Sequence, residues 1–427
     1  MPPPPPSPPT LRCGSGLSSN PDTLVAAAQA CDFTRQSLAD APCHLAFVFF
    51  SPHHTDHVES MTRSIRERLR PDCLIGMSTQ AVIGGEIELE RSPGLSILAL
   101  SLPGVSLHPF TLDHLDPADT SPQSLDRFQT TLACGPESRA TFFFADPFVP
   151  MVKLLPALNR ARRGAPGPLI GAIASGGRAA GDNVLLLNDQ IFRSGAVGLT
   201  VSGPVQIDTI VSQGCRPIGS TSVVTKAKGN VIFELGGKPT AEAMREAILS
   251  LGELAKEVLN DGLHIGRVVN EYKERFGRDD FLIRNVVGLD PKSGGMAVND
   301  IVKVGMTIRF HVRYRATASE DLAMLLDGEK LHGRPAGCLL LTCNGRGQRL
   351  FAQPNHDASA IVRAFDPPRS GEELARGGTA IEPGIHSTAS VPLAGCFAAG
   401  EIGPVGDAGE SFLHGHTACA ALFRSLR

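Results

Sequence analysis

The side chains best equipped for chemistry lie in the C-terminal half of the sequence. Cys343-Asn344-Gly345-Arg346-Gly347 follows a short apolar run, Cys338 to Thr342. Its two glycines tolerate positive φ, so successive backbone N–H groups can turn inward as an anion-binding nest. Arg346 adds a planar fork suited to a carboxylate or phosphate. Cys343 stands at the mouth of the run, where a nearby guanidinium would lower its pKa. Two plainer readings stay open: an Asn-Gly turn with Arg346 in solvent, and a buried structural Cys343. Further on, Glu401 sits between Gly400 and Gly403 next to Pro404. A carboxylate so placed suits a cleft better than a core and could accept an ammonium. His414 and His416 alternate, so on an extended stretch they share a face. The alternative is a surface turn with solvated Glu and His.

The N-terminal half offers hydroxyls. Gly76-Met77-Ser78-Thr79-Gln80 lacks the second glycine of a nucleophile elbow. Ser78 and Thr79 either line a pocket at a strand's carboxyl end or satisfy loop backbone. Gly236-Gly237-Lys238-Pro239-Thr240 lacks the first glycine of a P-loop and has Pro after the Lys, so it reads as a turn. His53, His54, Asp56 and His57 read as a solvated loop entering a helix rather than as metal ligands. No metal and no cofactor is expected.

Composition narrows the partners. Forty basic residues against 43 acidic ones leave none of the basic surplus a nucleic-acid surface needs. Trp is absent and Tyr occurs twice against 20 Phe, which argues against aromatic base-stacking and leaves Phe to pack the core. The basic stretch Arg63 to Arg70 reads as the solvated face of an amphipathic helix carrying Val58, Met61, Ile65 and Leu69. Ten cysteines occur without a Cys-x-x-Cys pair, which favours free thiols in a reducing compartment. Met1 to Pro9 is nearly all proline and lacks the features of a secretory signal. No apolar run reaches the about 18 residues of a membrane span. A cytoplasmic protein with a disordered Pro-rich tail over residues 1–17 is therefore expected, with no membrane and no nucleic-acid partner.

The elements that must position these groups recur along the chain. Leu45 to Phe50 and Cys73 to Thr79 read as parallel strands around the amphipathic helix. Thr141 to Ala145, a helical stripe of Met151, Leu154, Leu155, Leu158 and Ala161, and Leu169 to Gly177 repeat the pattern. The step from Phe50 to Gly76 equals that from Ala145 to Gly171, 26 residues in each case. A looser third copy runs through Cys338 to Cys343, a helix near Ile361 to Phe365, and Leu393 to Phe397. Pro21 to Ala39 reads as a helix. Val184 to Leu187 and Ile191 to Gly203 read as strands about an Asn188-Asp189 turn. Thr307 to Arg313 alternates as a half-exposed strand, and Thr240 is placed to cap a helix carrying Met244, Ile248, Leu251, Ala255 and Val258. The fold expected is α/β: two related lobes, 18–210 and 211–427, with mixed, partly parallel sheets flanked by helices and built from pseudo-duplicated strand–helix–strand units.

The sequence resembles the FIST family of intracellular signal transduction proteins. The resemblance rests on Phe49-Phe50-Ser51, Gly76 to Thr79 with Gly85-Glu86-Ile87, Gln213 to Gly219, Cys343 to Gly347, Gly400 to Pro404 and Leu413 to Thr417. It runs from about residue 20 to the end and covers an N-terminal and a C-terminal FIST module. One departure is Gln80 to Gly84, which precedes Gly85-Glu86 where the family usually has a Ser-Thr-Ala-Gly-Glu-like run. The resemblance implies a sensory protein that binds a small molecule, with amino acids as a ligand class, and does not establish catalysis. The expected site is a zwitterion clamp. Arg346 with the N–H groups about Asn344 and Gly347 holds a carboxylate, Glu401 an amine, and Ser78 or Thr79 gives hydroxyl contacts. Cys343, Gly403, His414 and His416 complete the pocket, with the N-terminal lobe as a wall. Two rivals remain: a cysteine-dependent enzyme using Cys343 with His414 or His416 as base, and a scaffold for a protein partner in signalling.

Overall fold

A computed structural model describes residues 10–39, 41–252, 262–290, 293–366, 391–406 and 409–426. Three units share one order of elements: strand, helix, strand, helix, strand, hairpin, strand. The first comprises β1 (Arg12–Ser18), α1 (Thr23–Leu38), β2 (Leu45–Phe50), α2 (Val58–Leu69), β3 (Cys73–Ser78), the hairpin β4 (Ala81–Gly84) and β5 (Ile87–Leu89), and β6 (Leu95–Ser101). The second comprises β7 (Ser106–Thr111), α3 (Pro122–Leu132), β8 (Ser138–Ala145), α4 (Met151–Ala161), β9 (Leu169–Ile173), the hairpin β10 (Leu185–Leu187) and β11 (Gln190–Phe192), and β12 (Ala196–Ser202). The third opens with β13 (Val205–Ser212). An inserted sheet then intervenes: β14 (Cys215–Lys228), β15 (Val231–Leu235), β16 (Lys238–Pro239), α5 (Thr240–Leu249), β17 (Leu263–Val268), β18 (Phe281–Leu289), β19 (Met296–Val298) and β20 (Thr307–Arg313). The unit resumes with α6 (Arg315–Lys330), β21 (Gly337–Cys343), α7 (His356–Phe365), β22 (Leu393–Ala398), the hairpin β23 (Gly400–Pro404) and β24 (Ser411–His414), and β25 (Ala418–Ser425).

The units interlock through their hairpins. Each unit's own strands line up first-last-second-third, with the second and third parallel: β2 with β3, β8 with β9, β21 with β22. The sheet is then extended by a hairpin from another unit. The β10–β11 hairpin joins β3, β23–β24 joins β9, and β4–β5 joins β22. Strands that are covered on both faces read as continuous apolar runs, and Phe47, Phe142 and Phe423, one from each unit, meet at the centre with ring centroids 4.9–6.3 Å apart. The mixed, partly parallel sheets flanked by helices are those expected, and the looser third copy is a full unit.

The 26-residue recurrence has a steric cause. Gly76, Gly171 and Gly395 occupy the same place in the third strand of each unit, opposite Val48, Phe143 and Leu340 of the second. A Cβ at any of them would lie 1.8–2.1 Å from the facing carbonyl oxygen. The parallel strands thus approach as closely as they do because these positions carry hydrogen.

Four expectations need correction. The tail ends sooner than residue 17, because Arg12–Ser18 is a strand paired along its length with β6, and all of it but Arg12 is buried; Met1 to Pro9 lie outside the described residues. Thr240 is the first residue of α5 rather than its cap; its hydroxyl donates to the Ile232 carbonyl at 3.0 Å. Leu251 falls beyond that helix, and Ala255 and Val258 lie outside the described residues. On β20 the polar face is not solvated: His311 and Arg313 are 1% and 4% exposed. At β20 the inserted sheet is covered on both faces, so alternation there marks a second buried surface rather than water. Finally, His53 to His57 form a short 3-10 turn, with His54 buried and its Nδ1 3.0 Å from Thr23 Oγ1.

Gly171→Ala should lower stability by about 1–3 kcal/mol, the usual range for an overpacked interior. Chemical denaturation measures it, and an unchanged midpoint would contradict the close-approach reading.

Candidate functional site

The site grows from the end of β21. After Cys343 the chain turns sharply, with the Arg346 N–H donating to the Cys343 carbonyl at 2.8 Å. Arg346 is fully buried and forks onto Asp357 in the first turn of α7, Nε to Oδ2 at 2.6 Å and Nη2 to Oδ1 at 2.8 Å. Thr342 Oγ1 donates to the same carboxylate at 3.0 Å, and His356 Nδ1 lies 2.9 Å from it. Burial alone would raise the Asp357 carboxyl, but the Arg346 guanidinium outweighs it and holds the group well below the usual carboxylate range. Arg346 therefore does not offer its fork to a ligand; the chain supplies the carboxylate itself.

The expected anion nest is filled in the same way. Gln348 N–H donates to Glu90 Oε1 at 2.9 Å, and the Asp357 and Ala358 N–H groups donate to Glu88 Oε1 at 3.0 Å each. Both carboxylates come from the first unit's hairpin region, so α7 is capped by an exchanged element. A Cβ on Gly347 would meet Glu90 Oε1 at 2.5 Å, so Gly347 makes room for that contact. Asn344 uses its N–H on the Ala398 carbonyl at 2.9 Å.

Ser78 and Thr79 are also spent internally. Ser78 Oγ accepts from Val184 N–H at 2.9 Å and Thr79 Oγ1 donates to the Ala81 carbonyl at 3.0 Å. Neither lines the cleft described below. Gly403 packs against Cys419 and Val211, which leaves no room for a side chain and no face for a ligand.

Cys343, His414 and His416 do come together, in the lining of a cleft of about 970 Å³. One wall is α4 with Ile173 of β9; another is the β23–β24 hairpin; the third is the inserted sheet, through Arg267, Ile283, Arg284, Val298 and Asp300. His414 Nε2 donates to the Gly403 carbonyl at 3.0 Å, which leaves Nδ1 as an acceptor, and this buried atom has no partner among the described residues. His416 has a left-handed backbone, φ 66°, and its Nδ1 accepts from Arg313 Nη1 at 3.1 Å. The His416 ring meets His264 edge-on, with centroids 5.6 Å apart. Gly345 is required here, since a Cβ would lie 2.8 Å from His416 Nδ1. Burial pushes His264, His414 and His416 down to about 4, with Arg313 adding to the effect at His264 and His416.

Glu401 pairs in register with His414. It is fully buried; Oε2 accepts the Thr417 N–H at 3.2 Å and Oε1 has no partner among the described residues. Burial raises its carboxyl well above the ordinary range.

Two cleft residues, Arg267 and Arg284, belong to no motif in the sequence. Arg267 Nε and Arg284 Nε both donate to Asp300 Oδ2, at 3.1 and 3.2 Å. Arg284 Nη1 also donates to the Leu413 carbonyl at 3.0 Å, tying the inserted sheet to β24. Two guanidiniums thus share one carboxylate. Polar alternation does not mark them: Arg267 shares its face of β17 with Leu263 and Ile265, and Arg284 its face of β18 with Leu282 and Val286. Elsewhere, Asp208, Glu329 and His332 lie within metal-binding reach, but Arg424 ion-pairs with both carboxylates.

Comparison with known proteins bears on the whole chain. The FIST N domain model matches residues 44–238 and the FIST C domain model residues 240–371. An uncharacterized protein of Mycobacterium tuberculosis (strain ATCC 25618 / H37Rv) is 38% identical over 419 residues, 97% of this chain and 100% of the relative. An uncharacterized protein of Mycobacterium bovis is 36% identical over 416 residues, 97% of this chain and 99% of the relative. A cyanuric acid hydrolase from A. caulinodans aligns over 98% of this chain and 99% of its own at 9% identity, with a TM-score of 0.29, a likeness too weak to transfer any residue or reaction.

Two outcomes are expected. Asp357→Asn should destabilise the protein by about 3–5 kcal/mol, because it leaves the buried Arg346 charge uncompensated; a loss below about 1 kcal/mol by denaturant titration would contradict the assignment. The wild type should also lose stability as pH falls from about 6.5 towards 4. His54, His264, His311, His414 and His416 are all held near 4 when folded; the raised carboxyls of Glu88 and Glu401 act in the opposite sense, but five imidazoles outweigh two carboxyls, so the unfolded chain binds more protons across that window. Denaturation midpoints that do not change between pH 7 and pH 5 would contradict it.

Proposed function

The chain belongs to the FIST family, and from that premise we propose that it is a sensor whose small ligand sits in the cleft between the inserted sheet and the second unit. FIST domains are associated with signal transduction and small-ligand sensing. The observation that carries the reading is the cleft's chemistry. Its size suits a small molecule, its α4 wall is apolar, and its polar end brings two guanidiniums with one shared carboxylate together with the unpartnered acceptor of His414.

An amino acid with an apolar side chain fits this arrangement. Its carboxylate would bind Arg267 and Arg284, its ammonium would face His414 Nδ1 and Glu410, and its side chain would lie along Met151, Val152 and Leu155. This replaces the Arg346–Glu401 clamp, whose charges are consumed or buried. Occupancy would be read by a protein partner, since the hairpin carrying His414 is shared between units and couples the cleft to both. A cytoplasmic location accords with the ten unpaired cysteines. Among the described residues, no helix is long and apolar enough to cross a membrane.

Calorimetry with a panel of amino acids and matched amino-free carboxylic acids tests the proposal. Saturable binding of an apolar amino acid is expected, weakened roughly 10- to 100-fold by Arg267→Ala, the scale of one charged hydrogen bond. Arg267 is the better target because Arg284 also holds the Leu413 carbonyl. Binding unaffected by Arg267→Ala, or none across the panel, would refute this ligand assignment.

A further inference from the structure

We propose that the groove between α2 and the β10–β11 hairpin is a second ligand site, which binds a small phosphate monoester through Thr62, Arg63 and Arg66. It lies on the first unit, shares no lining residue with the cleft, and stands whether or not an amino acid binds there.

The repeated body points to the place. Each unit sets a helix against an exchanged hairpin in the same way. Leu186, Ile402 and Ile83 lie opposite Gly76, Gly171 and Gly395. Across their hairpins they pair with Ile191, Leu413 and Glu88. Two residues before these stand Asp189, Ser411 and Glu86, and each is tied to the helix it faces: Asp189 to Arg66, Ser411 to Asn159, Glu86 to Arg363. The buried stripes correspond as well. Val58, Met61, Thr62 and Ile65 on α2 match Met151, Leu154, Leu155 and Leu158 on α4, and Ala358, Ile361, Val362 and Phe365 on α7. At the second unit's helix, Val152, Leu155, Pro156 and Asn159 line the cleft together with Ser411 and Leu413. Their counterparts Glu59, Thr62, Arg63 and Arg66, with Asp189 and Ile191, line a groove of about 640 Å³. One position in the repeat therefore opens twice, once with apolar helix residues and once with charged ones.

The groove's polar atoms indicate what it takes. Thr62 stands where the other units carry Leu155 and Val362. It is 4% exposed, and its hydroxyl has no partner among the described residues. A buried hydroxyl left unpaired costs stability that an apolar side chain would not. Arg66 donates its Nε to Asp189, and its buried Nη1 has no partner among the described residues. Arg63 and Arg70 lie one turn to either side of Arg66 on the same helix face. Neither forms an ion pair among the described residues. A hydroxyl and three guanidiniums drawn from one helix face suit the three terminal oxygens of a phosphate monoester better than a flat carboxylate. Glu59 and Glu67 stand one turn to either side of Arg63 in the same lining. They leave a place for one compact anion and repel a polyanion.

Calorimetry at low ionic strength on the full-length protein tests the site, with glycerol 1-phosphate, succinate and glycerol as probes. Saturable binding of glycerol 1-phosphate is expected, about tenfold tighter than succinate, with no binding of glycerol. Arg63→Gln should weaken it about tenfold and the isosteric Thr62→Val about threefold. Thr62→Val should leave the denaturation midpoint unchanged or raise it, since it removes a hydroxyl that the fold does not use. Arg267→Ala, in the cleft, should bind glycerol 1-phosphate as the wild type does. The proposal is overturned by an absence of saturable binding, by tighter binding of succinate, or by binding that neither Arg63→Gln nor Thr62→Val weakens. A lowered midpoint in Thr62→Val, or binding lost only in Arg267→Ala, would overturn it too. That last result would place the anion in the cleft, so failure of this site and failure of the sensing reading are distinguishable.

Discussion

One buried ion pair holds the site together. Arg346 and Asp357 are both almost wholly removed from water, and neither charge could remain there without the other. Their bidentate contact fixes the turn after β21 against the first turn of α7. Glu88 and Glu90, brought by the first unit, cap the same helix turn and loop. The position of Cys343, the opening beside Gly345 and the seat of His416 all follow from that loop. A charge that looks available for a ligand is instead the fastening that gives the ligand a floor.

The cleft exists because an otherwise repeated body is interrupted once. Each unit closes its sheet with a hairpin from another, so the three cannot separate without losing strand pairing. Only the third unit carries an insertion between its first strand and first helix. That sheet lies across the β23–β24 hairpin, which itself pairs with β9 of the second unit. Arg284 fastens the junction through the Leu413 carbonyl. The concave surface is therefore lined by residues from both family modules, and a ligand there would feel the relative placement of all its walls.

The sequence disclosed what depends on local pattern. Leu45 to Phe50, Thr141 to Ala145 and Cys338 to Cys343 were legible as buried strands because apolar runs bounded by Pro, Gly or small residues have few other uses. The glycine recurrence was visible because the same close approach imposes the same residue. Pairing across units was not legible: nothing in Ala81 to Leu89 indicates that it will join β22. The same limit explains the site. Arg346 and Asp357 are separated by a turn whose direction the sequence leaves open, so a burial that depends on the partner could not be read. Cys343, His414 and His416 were found because their motifs sit at strand ends; Arg267 and Arg284 were missed because their strands belong to the insertion.

The claim that the Arg346–Asp357 pair organises the site is tested most directly by hydrogen–deuterium exchange in the Asp357→Asn protein under native conditions. The account predicts faster exchange confined to residues 343–348 and 415–417, with β2 and β8 protected as in the wild type. Unchanged protection across those two segments, in a protein that still folds, would contradict it.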